Sequence, residues 1–169
     1  MHAPLPEQIE VERAVTTGRI YAGSVKLDAF PRLLSLLADA DGEVHFELAF
    51  ARNVIGQKML KMQVNTALPL ICQATLDRFE LPVELDTKLG FVKEEADASG
   101  LPEDYEPALM DGGMVNPLAL IEDELILAIP VIPRKPDAQV LILAAAPETG
   151  AAVADRPNPF TALAALKRH

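Results

Sequence analysis

Through the middle of the chain, apolar residues recur with a period of two. In "EVHFELAFA" (43–51), Val44, Phe46, Leu48 and Phe50 alternate with Glu43, His45 and Glu47. That is the pattern of a half-buried strand on an antiparallel sheet. "KMLKMQVNTALPLIC" (58–72) sets Leu60, Met62 and Val64 against Lys61, Gln63 and Asn65, and further on Phe79, Leu81, Val83 and Leu85 alternate with Glu80, Pro82, Glu84 and Asp86. Residues 43–92 therefore predict a three-stranded antiparallel meander. "GRIYAGSVKL" (18–27), with Ile20, Val25 and Leu27, extends it by an early strand. Near Pro69 the ladder must be interrupted or lie at an edge, because proline donates no backbone hydrogen bond.

Elsewhere the period lengthens to that of a helix. "DAFPRLLSLLADADG" (28–42) offers Asp28 as a cap, Pro31 in the first turn, a stripe of Phe30, Leu33, Leu34 and Leu37, and Gly42 as a stop. This helix is expected to cover the apolar face of the sheet, so that a polar residue at Leu37 or Phe46 damages folding. "NPLALIEDELILAIPVIP" (116–133) opens with the cap Asn116 and first-turn Pro117, and spaces Leu118, Ile121, Leu125 and Ala128 along one face up to Pro130. "NPFTALAALKRH" (158–169) repeats the Asn-Pro opening at Asn158 and Pro159, with Phe160, Leu163, Ala164 and Leu166 on an apolar side. A helix of about ten residues is marginal alone in water, so this one needs a surface, on its own domain or on a partner. Residues 1–14 read as a weakly ordered or short helical lead-in. The whole predicts an α+β fold: an antiparallel meander packed with helices in a single domain over 1–132, an acidic loop at 93–114, a flexible linker at 133–157, and a C-terminal helical motif at 158–169.

Charge changes this picture at one place. The net charge is −10. Residues 93–124 hold ten acids against the single base Lys93, a net of −9. Such a window repels nucleic-acid phosphates and attracts basic partners, unless it is only a solvated loop. The single cysteine, Cys72, rules out an internal disulfide and a multi-thiolate zinc site, and its alternating surroundings predict a buried structural thiol. His2, His45 and His169 show no metal-ligand spacing. No apolar run approaches the ~18 residues that span a bilayer, and the N-terminus has no basic patch or apolar signal core, so a cytoplasmic protein is expected, with no membrane and no DNA among its partners.

The triplet Glu122, Asp123 and Glu124 raises the question of catalysis. Adjacent helical residues point about 100° apart and do not converge on one atom. No phosphate-binding, dinucleotide, zincin or nucleophile-elbow motif accompanies them. The three acids therefore read as the hydrated side of a docking helix, with no catalytic residue, cofactor or metal expected. Arg19, Lys26 and Arg32 form a loose basic set, a possible RNA contact if they converge.

Three blocks, "LPEDYEP" (101–107), "LIEDELILAIPVIP" (120–133) and "RPNPFTALAALK" (156–167), closely resemble the YceD family, named for large ribosomal RNA subunit accumulation. The order and spacing of the blocks match through the second half of the chain. The resemblance implies a role in synthesis, processing or accumulation of 23S rRNA and in large-subunit assembly, with no established enzymatic reaction. It makes the small basic ribosomal protein bL32, whose gene commonly neighbours those of bacterial relatives, a candidate partner. Candidate partner-binding residues are Glu103, Asp104, Tyr105, Glu122, Asp123 and Glu124, together with Asn158, Pro159, Phe160, Leu163 and Leu166 in the last block. Direct binding of precursor rRNA and a metal-dependent ribonuclease are the alternatives. Many relatives carry a CxxC pair. Here Cys72 matches its first cysteine and Thr75 stands at the second, so the pair is incomplete in this chain.

Overall fold

The computed structural model describes residues 5–136. Its elements are β1 (Ile9–Glu10), α1 (Val11–Thr16), β2 (Ile20–Lys26), α2 (Pro31–Leu34), β3 (Glu43–Arg52), β4 (Lys58–Ile71), β5 (Arg78–Val92), β6 (Glu106–Leu109), β7 (Met114–Val115) and α3 (Pro117–Ala128). The fold is α+β. A five-stranded sheet of order β2-β3-β4-β5-β6 carries the core, and β1 and β7 form a separate two-stranded ribbon.

The predicted meander is present, with β2 through β5 antiparallel in chain order. Alternation sets its two faces. Val44, Phe46, Leu48 and Phe50 of β3 are buried beside Leu60, Met62 and Val64 of β4, while Glu43, His45, Glu47, Lys61, Gln63 and Asn65 lie in solvent. Ring contacts extend this core across the sheet. Phe50 stacks on Phe91 at 5.9 Å between centroids and meets Tyr21 edge-on at 6.0 Å. Pairing of β3 with β4 ends at His45↔Asn65. Pro69 therefore sits where β4 has only β5 as a strand neighbour, opposite Glu80, and its missing N–H interrupts no ladder.

The region from 94 to 114 departs from the expected loop. A 3-10 turn (Glu95–Gly100) leads into β6, which joins β5 in parallel from Leu89↔Glu106 to Val92↔Leu109. The return crosses over the far face of β5, where Leu101 lies against Gly90. A Cβ at Gly90 would come to 2.5 Å from the Leu101 side chain, so a larger residue there would force Leu101 to shift. Both faces of β5 are covered here, and alternation ends in the buried run Leu89–Val92.

The helix predicted over 28–42 is also different. A 3-10 turn (Leu27–Ala29) is followed by the four-residue α2, and its cap position is Phe30, without a side-chain bond from Asp28. Leu36 and Leu37 continue in tight turns through bonds to the Leu33 and Leu34 carbonyls, and the Ala38 amide then donates to the Pro69 carbonyl at 2.8 Å. The exposed β4 edge captures the chain that the leucine spacing would have wound into a helix. Phe30 and Leu33 still reach the core, while Leu37 is half-buried. Within the described residues the lead-in forms β1 and α1, and β1 and β7 bring the starts of α1 and α3 together. Beyond α3, the Gln73 amide donates to the Pro133 carbonyl and the Lys135 amide to Cys72 Sγ, so packed chain reaches past residue 133. The C-terminal motif lies outside the described residues.

Leu33 is fully buried and Leu37 is not. Urea unfolding is expected to show Leu33→Ala losing about 2–5 kcal/mol and Leu37→Ala markedly less. Equal losses would mean that the two leucines belong to one continuous helix stripe.

Candidate functional site

The acidic triplet lies in the middle of α3. Asn116 caps this helix as predicted, its side-chain oxygen accepting from the Ala119 amide at 3.1 Å. Ile121 and Leu125 turn fully into the core, which fixes the rotation of the helix about its axis. The three carboxylates then take three different environments.

Glu122 is buried, at 5% exposure, and is not on a hydrated side. Its Oε1 accepts from the amides of Arg32 (2.7 Å) and Leu33 (3.1 Å), and its Oε2 accepts from Arg32 Nε (2.7 Å). It thus supplies from α3 the cap that Asp28 was expected to give α2. Glu122 follows Ile121, so the face that packs inward carries it against α2. Burial is the largest influence on its carboxyl and disfavours charge. The Leu33 amide, the Arg32 guanidinium and the Arg32 amide outweigh burial and hold the pKa below the ordinary glutamate value.

Asp123 is exposed and pairs with Arg32 Nη1 at 2.7 Å. Glu124 is half-buried and turns the other way, where Thr87 Oγ1 donates to it at 3.4 Å. Its pKa is raised, by burial first and then by the nearby carboxylate of Glu106. The three groups share no focus. Among the described residues, no set of three His, Cys, Asp or Glu is placed to hold a metal ion.

Glu124 belongs to a groove between α3 and β6 with a volume of about 430 Å³. Leu89, Ala108, Leu109, Leu120 and Leu127 give it an apolar lining, and Glu106, Asp123 and Glu124 supply carboxylates. Leu127 is 75% exposed and Leu109 53% exposed. Glu106 and Glu124 have no basic partner among the described residues, unlike Asp123.

The other candidates divide. Glu103 is exposed. Asp104 pairs with Lys88 Nζ at 2.7 Å, and that bond lowers its pKa. The Tyr105 hydroxyl donates to Met59 Sδ at 3.2 Å, and the Lys88 ammonium lies 5.8 Å from its ring centre. Asp104 and Tyr105 thus anchor the approach to β6, and Glu106, which sequence reasoning passed over, reaches the groove together with Pro107. Its signal was faint, one acid in a four-residue strand containing Pro107. Asn158, Pro159, Phe160, Leu163 and Leu166 lie outside the described residues. Arg19, Lys26 and Arg32 do not converge. Arg32 is held by α3, and Arg19 and Lys26 stand at opposite ends of β2, about 23 Å apart along an extended strand. Cys72 is buried, as expected, and its thiol is brought down to about 7 by the Lys135 amide and then the Thr75 hydroxyl.

Comparison with known proteins places this geometry in context. The family described as large ribosomal RNA subunit accumulation protein YceD matches residues 60–167. The large ribosomal RNA subunit accumulation protein YceD of Haemophilus influenzae is 28% identical over 155 residues, covering 88% of this chain and 87% of that protein. No solved structure matches.

A folded pKa below the unfolded one means that Glu122 stabilises above the ordinary glutamate value of about 4.3, and that its contribution disappears as pH falls through the folded value. Glu122→Gln is expected to lower stability near neutral pH by about 1–3 kcal/mol. Urea unfolding over a pH series should show the gap closing below about pH 4. A gap independent of pH would refute a charged cap.

Proposed function

The chain belongs to the YceD family of large ribosomal RNA subunit accumulation proteins, and we propose that it acts without catalysis, as a docking factor for a basic protein of the large subunit or its assembly. The coarse role, involvement in large ribosomal RNA subunit accumulation, follows from the family. The docking reading rests on one observation, the groove of α3 and β6. There two carboxylates, Glu106 and Glu124, stand without a cation among the described residues beside exposed leucines, near enough that Glu106 raises Glu124. Placing like charges together in a partly buried apolar cleft costs stability. A lysine or arginine from a partner would remove that cost, and Leu109, Leu120 and Leu127 would receive an apolar side chain beside it.

Chemistry at the acidic triplet has little to build on, because Glu122 is committed to the α2 amides and Arg32. A factor that stabilises a basic ribosomal protein during assembly would let 23S rRNA accumulate indirectly. Ribosomal protein bL32 is the first candidate to test. The C-terminal block with Phe160, Leu163 and Leu166 is a second proposed contact, on its sequence alone.

Titration calorimetry of the full chain with purified bL32 should show binding that weakens with salt. Glu106→Gln with Glu124→Gln should weaken it at least about tenfold. Glu124 starts with a raised pKa, so a cation docking there should release protons in mildly acidic buffer, making the measured heat depend on the buffer. Unchanged affinity in the double variant would overturn the groove as the docking site, and absence of binding at low salt would remove bL32 as the partner.

A further inference from the structure

The basic side chains of the described residues fall into two groups. Arg32, Arg52, Lys58, Lys61, Arg78 and Lys88 each face a carboxylate. Arg13, Arg19, Lys26, Lys93, Arg134 and Lys135 face none among the described residues, and of these Arg13 and Arg19 line one cavity of about 520 Å³ at the junction of β1, α1 and β2. In a chain with this excess of acids, two guanidinium groups without carboxylate partners in one cavity form a local exception to the overall charge.

The local fold explains why they meet. At the end of α1 the Arg19 amide donates to the Ala14 carbonyl and the Gly18 amide to that of Val15, a Schellman closure with Gly18 at φ +57°. The Phe50 amide donates to the Arg19 carbonyl at 2.9 Å, so the Arg19 backbone is held on both sides. Its guanidinium lies 5.5 Å from the centre of the Tyr21 ring. That contact orients the fork without neutralising it. Ile9, Tyr21 and Met114 give the cavity an apolar side, and Gln8 and Glu10 add groups that bond to hydroxyl or amino donors.

We propose that this cavity binds a nucleotide. Guanidinium forks match phosphate oxygens in pairs, so Arg13 and Arg19 would take the phosphate. Glu10 disfavours a bare anion and accepts from a ligand that also carries donors, such as ribose hydroxyls or a base amino group. The volume lies within the roughly 300–1,000 Å³ of small-ligand sites. A free nucleotide and one unit of a single-stranded RNA offer the same chemistry. The site shares no residue with the groove of α3 and β6 and stands or falls separately from it.

The full chain should be titrated with adenosine monophosphate and, separately, with a short fluorescent single-stranded oligoribonucleotide, with inorganic phosphate as a third probe. Arg13→Gln with Arg19→Gln should weaken binding by more than about tenfold, with circular dichroism unchanged because both side chains are exposed. Lys26→Ala, at the far end of β2, should have no effect. Binding of both nucleotide probes, or of either alone, that is lost in the arginine variant supports the site, and the pattern identifies the source of the nucleotide. The proposal is overturned if neither probe binds, if the arginine variant binds like wild type, if Lys26→Ala weakens binding equally, or if inorganic phosphate binds as tightly as the nucleotide.

Discussion

A single carboxylate fixes how α3 meets the rest of the molecule. Glu122 receives two backbone amides and the Arg32 side chain, all from the start of α2, while its neighbours Ile121 and Leu125 fill the core. A buried charge is tolerated only with this degree of satisfaction. With those three residues committed inward, α3 has no rotational freedom left. Leu120, Glu124 and Leu127 must then face β6, and the groove is the consequence. An amphipathic helix held by leucines alone could roll by some tens of degrees at little cost. One held by a fork of directed hydrogen bonds cannot.

The acidity of the segment from 93 to 124 is partly used inside the fold. Glu122 and Asp123 are paired with Arg32, and Asp104 with Lys88. Glu94 and Asp97 form a reciprocal capping box at the 3-10 turn before β6. The field available to a partner is therefore smaller than the formal charge suggests. In the groove it includes Glu106 and Glu124, where burial and the Glu106 carboxylate disfavour the charged form of Glu124. Groups whose environment works against their charge are better candidates for function than solvated ones, because the fold gains nothing from them.

Much of this architecture was legible in the sequence, and most of the failures share a cause. Strands β3 to β5 followed from alternation, since one face is buried and the other wet, while β2 was read only from the scattered apolar residues Ile20, Val25 and Leu27. The Asn116–Pro117 opening of α3 followed from local capping chemistry. The misreadings mostly involve partners distant along the chain. The leucines of 33 to 37 have helical spacing, but the free β4 edge at Pro69 binds the Ala38 amide and ends the helix early. β6 has four residues and gains its ladder from a parallel neighbour, which leaves almost no periodic trace. Glu122 reads as polar in a hydrophilic triplet, and nothing local announces that residues 89 and 90 positions earlier will bond to it. Of the three basic residues taken as one set, Arg32 is drawn away by its ion pairs with α3, while Arg19 and Lys26 are held apart by the length of β2 itself.

The sheet separates the two candidate sites physically. Its order places β2 at one edge and β6 at the other, four strand spacings apart, about 19 Å. The Debye length at physiological salt is about 8 Å, so charges at one edge are largely screened from solvent-exposed charges at the other. An acidic groove and an arginine-lined cavity can therefore coexist in one small domain without cancelling. A basic protein segment at the β6 edge would neutralise carboxylates locally and leave the guanidinium pair near β2 unaffected. A phosphate at that pair would likewise leave Glu106 and Glu124 charged. Two sites at opposite edges of one sheet would thus let the proposed basic segment and the proposed nucleotide bind independently of each other.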